Sequence, residues 1–310
     1  MALHHVLAVT DLTRQEIEAL FELTALLKKR KVRVSQPLAG KTLGLVFQKP
    51  SVRTRLSFEV GMSQLGGRCV YLGPEDIQQG QRESAKDMAR VLSRYVDGIA
   101  VRTFAHRDAV EFAQWATVPV INGLSDVHHP CQALSDLFTI HEHFGQLQSL
   151  KIAYVGDGNN VCHSLMHGCA LLGAKLIVAA PAKYPPHPAI LQEARLAAKR
   201  AGGSITLTTK PAEAVTGAAV VYTDVWVSMG QEAERKARVK VFTPYQVNRR
   251  LVALADKKYV VMHCLPAHRG EEITDEVLDS PHAIVYDQAE NRMHLQKAIL
   301  LWLLRGARKR

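Results

Sequence analysis

The sequence predicts an α/β protein of two domains, each a mainly parallel sheet flanked by helices, with long helices linking the domains. Three observations predict it. At 310 residues the chain is long for one hydrophobic core and suits two domains of roughly 150 residues each. Short apolar runs that read as buried strands alternate with segments of helical periodicity, the pattern of a parallel sheet covered on both faces. With 47% apolar and 22% charged residues, the composition is that of an ordinary globular chain.

The elements follow in order. Thr13 and Glu16 form a capping box, after which Ile17, Leu20, Phe21, Thr24 and Leu27 repeat at helical spacing. Thr42 to Phe47 reads as a buried strand, Lys49-Pro50-Ser51 breaks it, and Ser51 is the N-cap of a helix with Leu56, Val60 and Leu65 near helical spacing. Gly66-Gly67 stops that helix. Arg68 to Leu72 reads as a strand and Asp76 to Gln81 as a polar loop. Ser84 with Asp87 caps a helix carrying Ala85, Met88, Val91, Leu92 and Tyr95 on one face. A strand at Ile99 to Val101, a helix through Phe112 and Trp115, and a strand at Val118 to Ile121 come next. The helical pattern Leu134, Leu137, Phe138, His141 leads to a domain boundary near Leu147, giving domains 1–147 and 148–310. Strands are expected at Lys151 to Val155, Leu176 to Ala180, Ile205 to Thr208, Val220 to Thr223, Tyr259 to Met262 and Ile284 to Tyr286. The last helix, Gln288 to Leu304, is apolar enough on one face to pack back on the first domain.

The formal charge of +10 invites nucleic-acid binding. The basic residues are dispersed, however, apart from Lys28 to Lys31 and the tail Arg305 to Arg310, and no zinc-finger or aromatic-plus-basic signature accompanies them. A field that attracts anionic small molecules is the better reading. No apolar run reaches the length of a membrane span, and the N-terminus lacks the sections of a signal peptide, so a cytoplasmic protein is expected. Cys69, Cys131, Cys162, Cys169 and Cys264 are odd in number and irregularly spaced, which favours reduced thiols.

Ligands of open α/β sheets bind outside the carboxyl ends of the strands, and that rule collects the candidate residues. Ser51 to Arg55 form a strand-to-helix turn where free amides, the helix dipole, the Ser51 and Thr54 hydroxyls and the Arg53 guanidinium converge, an arrangement suited to phosphate. A capped surface helix with solvated arginines is the plain alternative. Arg102 ends a second strand and Asn122 to Gln132 follow a third. In the second half, Gly156 to Asn160, Asp224 to Gly230 and His263 to Leu265 follow strands. Gly156-Asp157-Gly158-Asn159-Asn160-Val161 lacks the third glycine of a dinucleotide fingerprint, and no acidic residue ends the next strand. His128, His129, Cys131, His263, Cys264 and His268 do not fit paired zinc-ligand intervals. No metal and no organic cofactor is expected.

The stretch Phe47 to Met62, with Ser51-Val52-Arg53-Thr54-Arg55 at its centre, resembles the carbamoyl-phosphate loop of the aspartate and ornithine carbamoyltransferase family. Val52 departs from it, standing where the family has threonine; the amide donor stays and one hydroxyl goes. His129-Pro130-Cys131-Gln132 resembles the carbamoyl-binding motif of the ornithine branch. Asp224 to Gly230 and His263 to Gly270 are similar to that branch's amino-acid-binding stretches, which an aspartate carbamoyltransferase would not be expected to carry.

What the resemblance implies is transfer of a carbamoyl group from carbamoyl phosphate to L-ornithine, giving L-citrulline and phosphate. It implies that Ser51, Val52, Arg53, Thr54 and Arg102 hold the phosphate, and that His129, Pro130, Cys131, Gln132, Cys264, Leu265 and Arg292 surround the carbamoyl group. Asn160, Asp224, Ser228 and Met229 would bind ornithine, and Arg53, Arg102, His129 and Cys264 would carry the chemistry. Gln78 lies in the polar loop that the family uses for carbamoyl phosphate, in reach of a neighbouring subunit's site, and the family assembles as homotrimers, in some members stacked further. Other readings stay open: a transferase acting on putrescine or acetylornithine, an inactive regulatory homologue, or a basic nucleic-acid-binding protein.

Overall fold

The computed structural model describes residues 3–29, 36–77, 83–228, 230 and 232–305. They form two compact units, one of Met1–Ser135 with Asn291–Arg310 and one of Asp136–Glu290.

In the first unit the chain runs α1 (Arg14–Lys28), β1 (Thr42–Phe47), α2 (Val52–Gln64), β2 (Arg68–Leu72), α3 (Pro74–Ile77), α4 (Ala85–Tyr95), β3 (Gly98–Arg102), α5 (His106–Trp115) and β4 (Val120–Leu124). Helix α6 (Pro130–Phe144) starts there and continues into the second unit. The strands make one parallel sheet in the order β2-β1-β3-β4. Val46, Ile99, Val101, Phe112 and Val120 pack its core, each such side chain contributing about 1.5–3 kcal/mol of burial.

The second unit contains β5 (Lys151–Val155), α7 (Asn160–Leu171), β6 (Lys175–Ala179), α8 (Pro188–Arg200), β7 (Ser204–Thr208), α9 (Pro211–Val215) and β8 (Val220–Thr223). After them come α10 (Arg235–Phe242), α11 (Arg249–Val252), β9 (Val260–His263) and α12 (Asp275–Leu278). Helix α13 (Val285–Leu304) begins in this unit and ends in the first. Its sheet is also parallel, in the order β7-β6-β5-β8-β9. Ala153, Val155, Val221, Trp226, Phe242 and Val261 fill the core. Among the described residues no helix is long and apolar enough to cross a membrane.

In each sheet the strand order reverses once, between β1 and β3 in the first unit and between β5 and β8 in the second. Ligands of open α/β sheets bind at such reversals, outside the carboxyl ends of the strands. The turns after β1 and β5 and the ends of β3 and β8 are therefore where candidate residues gather.

Several sequence expectations need correction. Ile284 to Tyr286 is not a strand: Ala283 makes a single bridge to Val261, and helix α13 begins at Val285. Gln288 N–H already donates to Ile284 O at 2.9 Å, so a helical turn overrides the β-branched pair Ile284-Val285. The segment expected as a polar loop from Asp76 includes the end of the short helix α3, and 78–82 fall outside the described residues. On α2 the buried face is Thr54, Phe58, Gly61 and Met62, while Leu56 and Val60 are exposed. The small Gly61 leaves room for the Lys297 stem of α13, where an added Cβ would lie 3.2 Å from Cγ. On α4, Val91 and Tyr95 also face outward.

Candidate active site

The first unit's candidate group begins at the end of β1. Ser51 is the N-cap of α2, with φ −160° and ψ 113°, and its Oγ accepts the Thr54 amide at 3.3 Å. The Ser51 hydroxyl donates to Thr54 Oγ1 at 3.0 Å, and Arg292 Nη2 donates to the same oxygen at 2.7 Å. Both Thr54 lone pairs are thus used, and the hydroxyl proton is the part left to donate to an anion. Arg292 Nη1 reaches Gln132 Oε1 at 2.9 Å, which fixes the direction of that amide. Both acceptors are neutral, so neither cancels the guanidinium charge.

The surroundings are cationic. Burial, then Arg292 and Arg53, pull the Arg102 guanidinium down to about 10. His129 is held well below the ordinary histidine range by burial first and then by Arg292, Arg102, Lys49 and Arg53. It is therefore a neutral imidazole at physiological pH. Lys49, buried beside the Phe104 ring, is pushed down to about 8 by burial and Arg102 against the pull of Asp126. A cluster whose members depress one another's protonation is short of negative charge, and a dianion supplies it.

The two loop arginines differ. Arg55 lies over the Tyr71 ring at 4.0 Å and pairs with Glu59 at 2.9 Å, whereas Arg53 belongs to the electrostatic neighbourhood of Arg102 and His129. Val52, the first residue of α2, is 72% exposed. Pro130 opens α6, and the Cys131 thiol turns to Asn122 O at 3.6 Å, with burial pushing it up to about 11. Gln78 lies outside the described residues.

The second unit's group lies around β5 and β8. After β5 the chain turns through Gly158, where a Cβ would meet Pro186 N at 2.2 Å, so only glycine fits. Asn159 caps α7 by accepting the amides of Val161 and Cys162 at 3.0 and 3.1 Å, and its Nδ2 donates to Asp224 Oδ2 at 2.8 Å. Asp224 Oδ1 accepts its neighbour Val225 N–H at 2.8 Å and the Cys264 thiol at 2.9 Å. Burial and then Asp224 push the Cys264 thiol well up, so it stays protonated. Asn160 is the first residue of α7, and its Oδ1 accepts Val161 N–H at 3.0 Å.

Leu265 adopts a left-handed φ of +57° before the cis peptide to Pro266, a conformation that costs a non-glycine residue on the order of 1–3 kcal/mol. Its amide donates to His263 Nδ1 at 2.8 Å. The His263 ring therefore carries its proton on Nε2, which donates to Glu272 Oε1 at 3.0 Å. Ser228 is partly buried, and Met229 lies outside the described residues.

The structure thus joins Ser51, Thr54, Gln132 and Arg292 by hydrogen bonds, with Arg53, Arg102 and His129 as charged or polar neighbours. It joins Asp224 to Cys264 and to Asn159, the neighbour of Asn160. Two residues escaped the sequence reading. Lys49 read only as part of a strand break, although it sits inside the phosphate-loop motif. Arg238, with nothing beside it in sequence to mark it, donates to Trp226 O at 2.6 Å and to Asp157, tying the turn after β5 to the loop after β8. Burial raises the Asp157 carboxyl to about 7 even against that guanidinium.

Comparison with known proteins agrees with this division of chemistry. Residues 4–142 match the carbamoyl-P binding domain of aspartate/ornithine carbamoyltransferase, and residues 148–303 match its Asp/Orn binding domain. The chain is 54% identical over 304 residues to an ornithine carbamoyltransferase of Thermococcus kodakarensis, covering 97% of this chain and 96% of that protein. It is 52% identical over 304 residues to an anabolic ornithine carbamoyltransferase of Pyrococcus furiosus, covering 97% and 96%. A solved ornithine carbamoyltransferase structure from Pyrococcus furiosus superposes with a TM-score of 0.96 at 50% identity, covering 99% of each chain. A cation-lined strand-to-helix turn in one unit, an acidic strand end in the other, and matches of this extent across both units place the chain in the aspartate/ornithine carbamoyltransferase family.

Proposed function

We propose that this protein is an ornithine carbamoyltransferase, converting carbamoyl phosphate and L-ornithine to L-citrulline and phosphate in arginine biosynthesis. The observation that carries the reading is the cationic group around Thr54: Lys49, Arg53, Arg102 and Arg292 about a neutral His129, in a protein with full-length similarity to ornithine carbamoyltransferases. Residues 1–147, with the last helix of the chain packing back on them, serve as the carbamoyl-phosphate-binding domain, and the rest of 148–310 serves as the ornithine-binding domain.

The neutral side-chain amine of ornithine attacks the carbonyl carbon, and its electron pair forms the new C–N bond as the carbonyl π pair moves to oxygen. The oxygen pair then re-forms the carbonyl, the bond from that carbon to the bridging oxygen breaks, and its electron pair leaves with phosphate, which takes the proton the amine gives up. Ser51, Arg53, Thr54 and Arg102, with the Val52 amide, hold the phosphate, while His129, Gln132 and Arg292 offer donors to the carbonyl oxygen as it gains charge. Pro130 and Cys131 fix the start of α6, which sets His129 and Gln132. Asn160, Asp224, Ser228 and Met229 hold ornithine, and Leu265 shapes the backbone beside them. The protonated Cys264 acts as a hydrogen-bonding thiol, not as a nucleophile. Catalysis is positioning and charge stabilisation.

A homotrimer in the cytosol completes the proposal, with Gln78 reaching a neighbouring subunit. Val52, Leu56 and Val60 form an exposed stripe at four-residue spacing on α2, beside the exposed Val70 of β2, which supports burial of that face in an assembly. One panel tests the activity: carbamoyl phosphate with ornithine, putrescine, acetylornithine or aspartate. Citrulline formation with ornithine preferred is expected, and faster turnover of another acceptor overturns the assignment.

A further inference from the structure

The turn that follows the His263 to Pro266 stretch carries a second cluster which the reaction does not use. Glu271 N–H donates to His268 O at 2.9 Å, closing a turn whose third residue, Gly270, has φ +83°. That turn brings His268 Nδ1, a Glu271 oxygen and a Glu272 oxygen within 4.8 Å of one another. His268 Nδ1 lies 3.9 Å from Glu271 Oε2 and 3.9 Å from Glu272 Oε2. All three atoms are buried without a hydrogen-bond partner.

The other half of each group is already committed. Glu271 Oε1 accepts from Arg235, and Glu272 Oε1 accepts from His263 Nε2 at 3.0 Å and from the His268 amide at 2.5 Å. Glu272 is 0% exposed, and these two donors to it are neutral. A buried carboxylate oxygen without a cation or donor is costly. At 3.9 Å, His268 is too far to hydrogen-bond it.

We propose that His268 Nδ1, Glu271 Oε2 and Glu272 Oε2 bind a divalent transition-metal ion of the Zn2+ class. One imidazole nitrogen and two carboxylate oxygens are a donor set for such an ion, while Mg2+ prefers oxygen alone. Metal bonds of about 2.0–2.2 Å in tetrahedral geometry set neighbouring ligand atoms roughly 3.3 Å apart, so side-chain rotations that shorten separations of 3.9 to 4.8 Å by about 0.5–1.5 Å close the cluster. The partly exposed His268 leaves the fourth position to water. Arg235 and the bonds from Val247 N–H to Glu272 O at 2.8 Å and from Gln246 Nε2 to Gly270 O at 2.9 Å hold the turn in place. Asp224, His263 and Cys264 are equally close together, but the hydrogen bonds already described occupy both ring nitrogens and the thiol proton, so that group is not the one inferred.

Co2+ absorption on the chelator-treated full chain tests the site. One equivalent should bind with visible d–d bands and no thiolate charge-transfer band, Zn2+ should displace it, and Mg2+ should not. His268→Gln, at a partly exposed position, should weaken binding about tenfold or more. Glu271→Gln should do the same. Zn2+ should raise the Tm of the unaltered chain and not that of His268→Gln, because a ligand of the folded state alone stabilises it. A charge-transfer band abolished by Cys264→Ser would place the metal at Cys264 and overturn the proposal. Absence of binding, or unchanged binding in both turn variants, would overturn it too and leave water as the occupant of the cluster.

Discussion

Arg292 Nη2 donates a 2.7 Å hydrogen bond to Thr54 Oγ1, joining two residues 238 positions apart in the chain. With its other nitrogen on Gln132, one guanidinium orients a hydroxyl and an amide at once. Lysine has a point charge on a flexible stem and cannot reproduce that fork. Arg292→Lys should therefore raise the carbamoyl-phosphate KM about ten- to a hundredfold, the equivalent of about 1.5–3 kcal/mol for a charged hydrogen bond. Steady-state kinetics with ornithine saturating checks it, and a KM within twofold of the unaltered chain would remove Arg292 from the binding group.

Lys49 gives the anion group a pH dependence. Its folded value of about 8 is below the ordinary lysine value, about 10.4. A base depressed in the folded state contributes stability above its unfolded value and loses that contribution as pH falls through the folded value. This group therefore favours folding increasingly as pH rises from about 8 towards about 10.4. Anion binding has the opposite sign, because the ammonium is lost over the same rise. Phosphate affinity should weaken above pH about 8, and Lys49→Met should bind more weakly below that pH but without that decline, so that the two converge at high pH. Equilibrium titration with inorganic phosphate measures this apart from ornithine's own amine; identical profiles for both chains would exclude Lys49.

Much of this could be read from the sequence because its causes are local. The Ser51 and Ser84 caps, β1, β5 and β8 follow from residues within a few positions of one another, and the structure has them where the pattern put them. Periodicity gave α2 a helix but not its inner face, which depends on Gly61 meeting Lys297. Motif resemblance supplied the site residues, whose positions follow strand ends. Arg238 and Lys49 were missed because each matters through partners far along the chain: Asp157 and Trp226 for Arg238, Arg102 for Lys49. Nothing near them in sequence announces those pairings.

Arg238 and Asp157 form a buried ion pair in the second unit. Arg238→Met leaves Asp157 buried without its cation, a loss that costs about 3–5 kcal/mol. Urea unfolding should show that drop, and Asp157→Asn combined with Arg238→Met should recover part of it through pairwise coupling. A double variant as unstable as the sum of the singles would show that the two side chains act independently.

Val52→Thr restores the family hydroxyl at a position 72% exposed. Both residues are β-branched and of similar size, and exposed substitutions change stability by about 0.5 kcal/mol or less. Carbamoyl-phosphate affinity should be equal or modestly tighter and Tm unchanged. Kinetics and a melting curve check both. A chain inactive with valine and active only with threonine would reassign the natural protein to a regulatory role.

The first unit is interrupted in sequence by the second, with Ser135 before the interruption and Asn291 after it. During translation Arg292 therefore emerges after every residue of the second unit. At about 5–20 residues per second, the wait between Thr54 and Arg292 is roughly 10–50 s. A nascent chain spends that time with the α2 N-terminus made but its bridging guanidinium not yet synthesised. A copy that stops just before Arg292 contains all of the second unit and an unfinished anion group, so such a truncated chain should compete weakly for carbamoyl phosphate beside the finished protein.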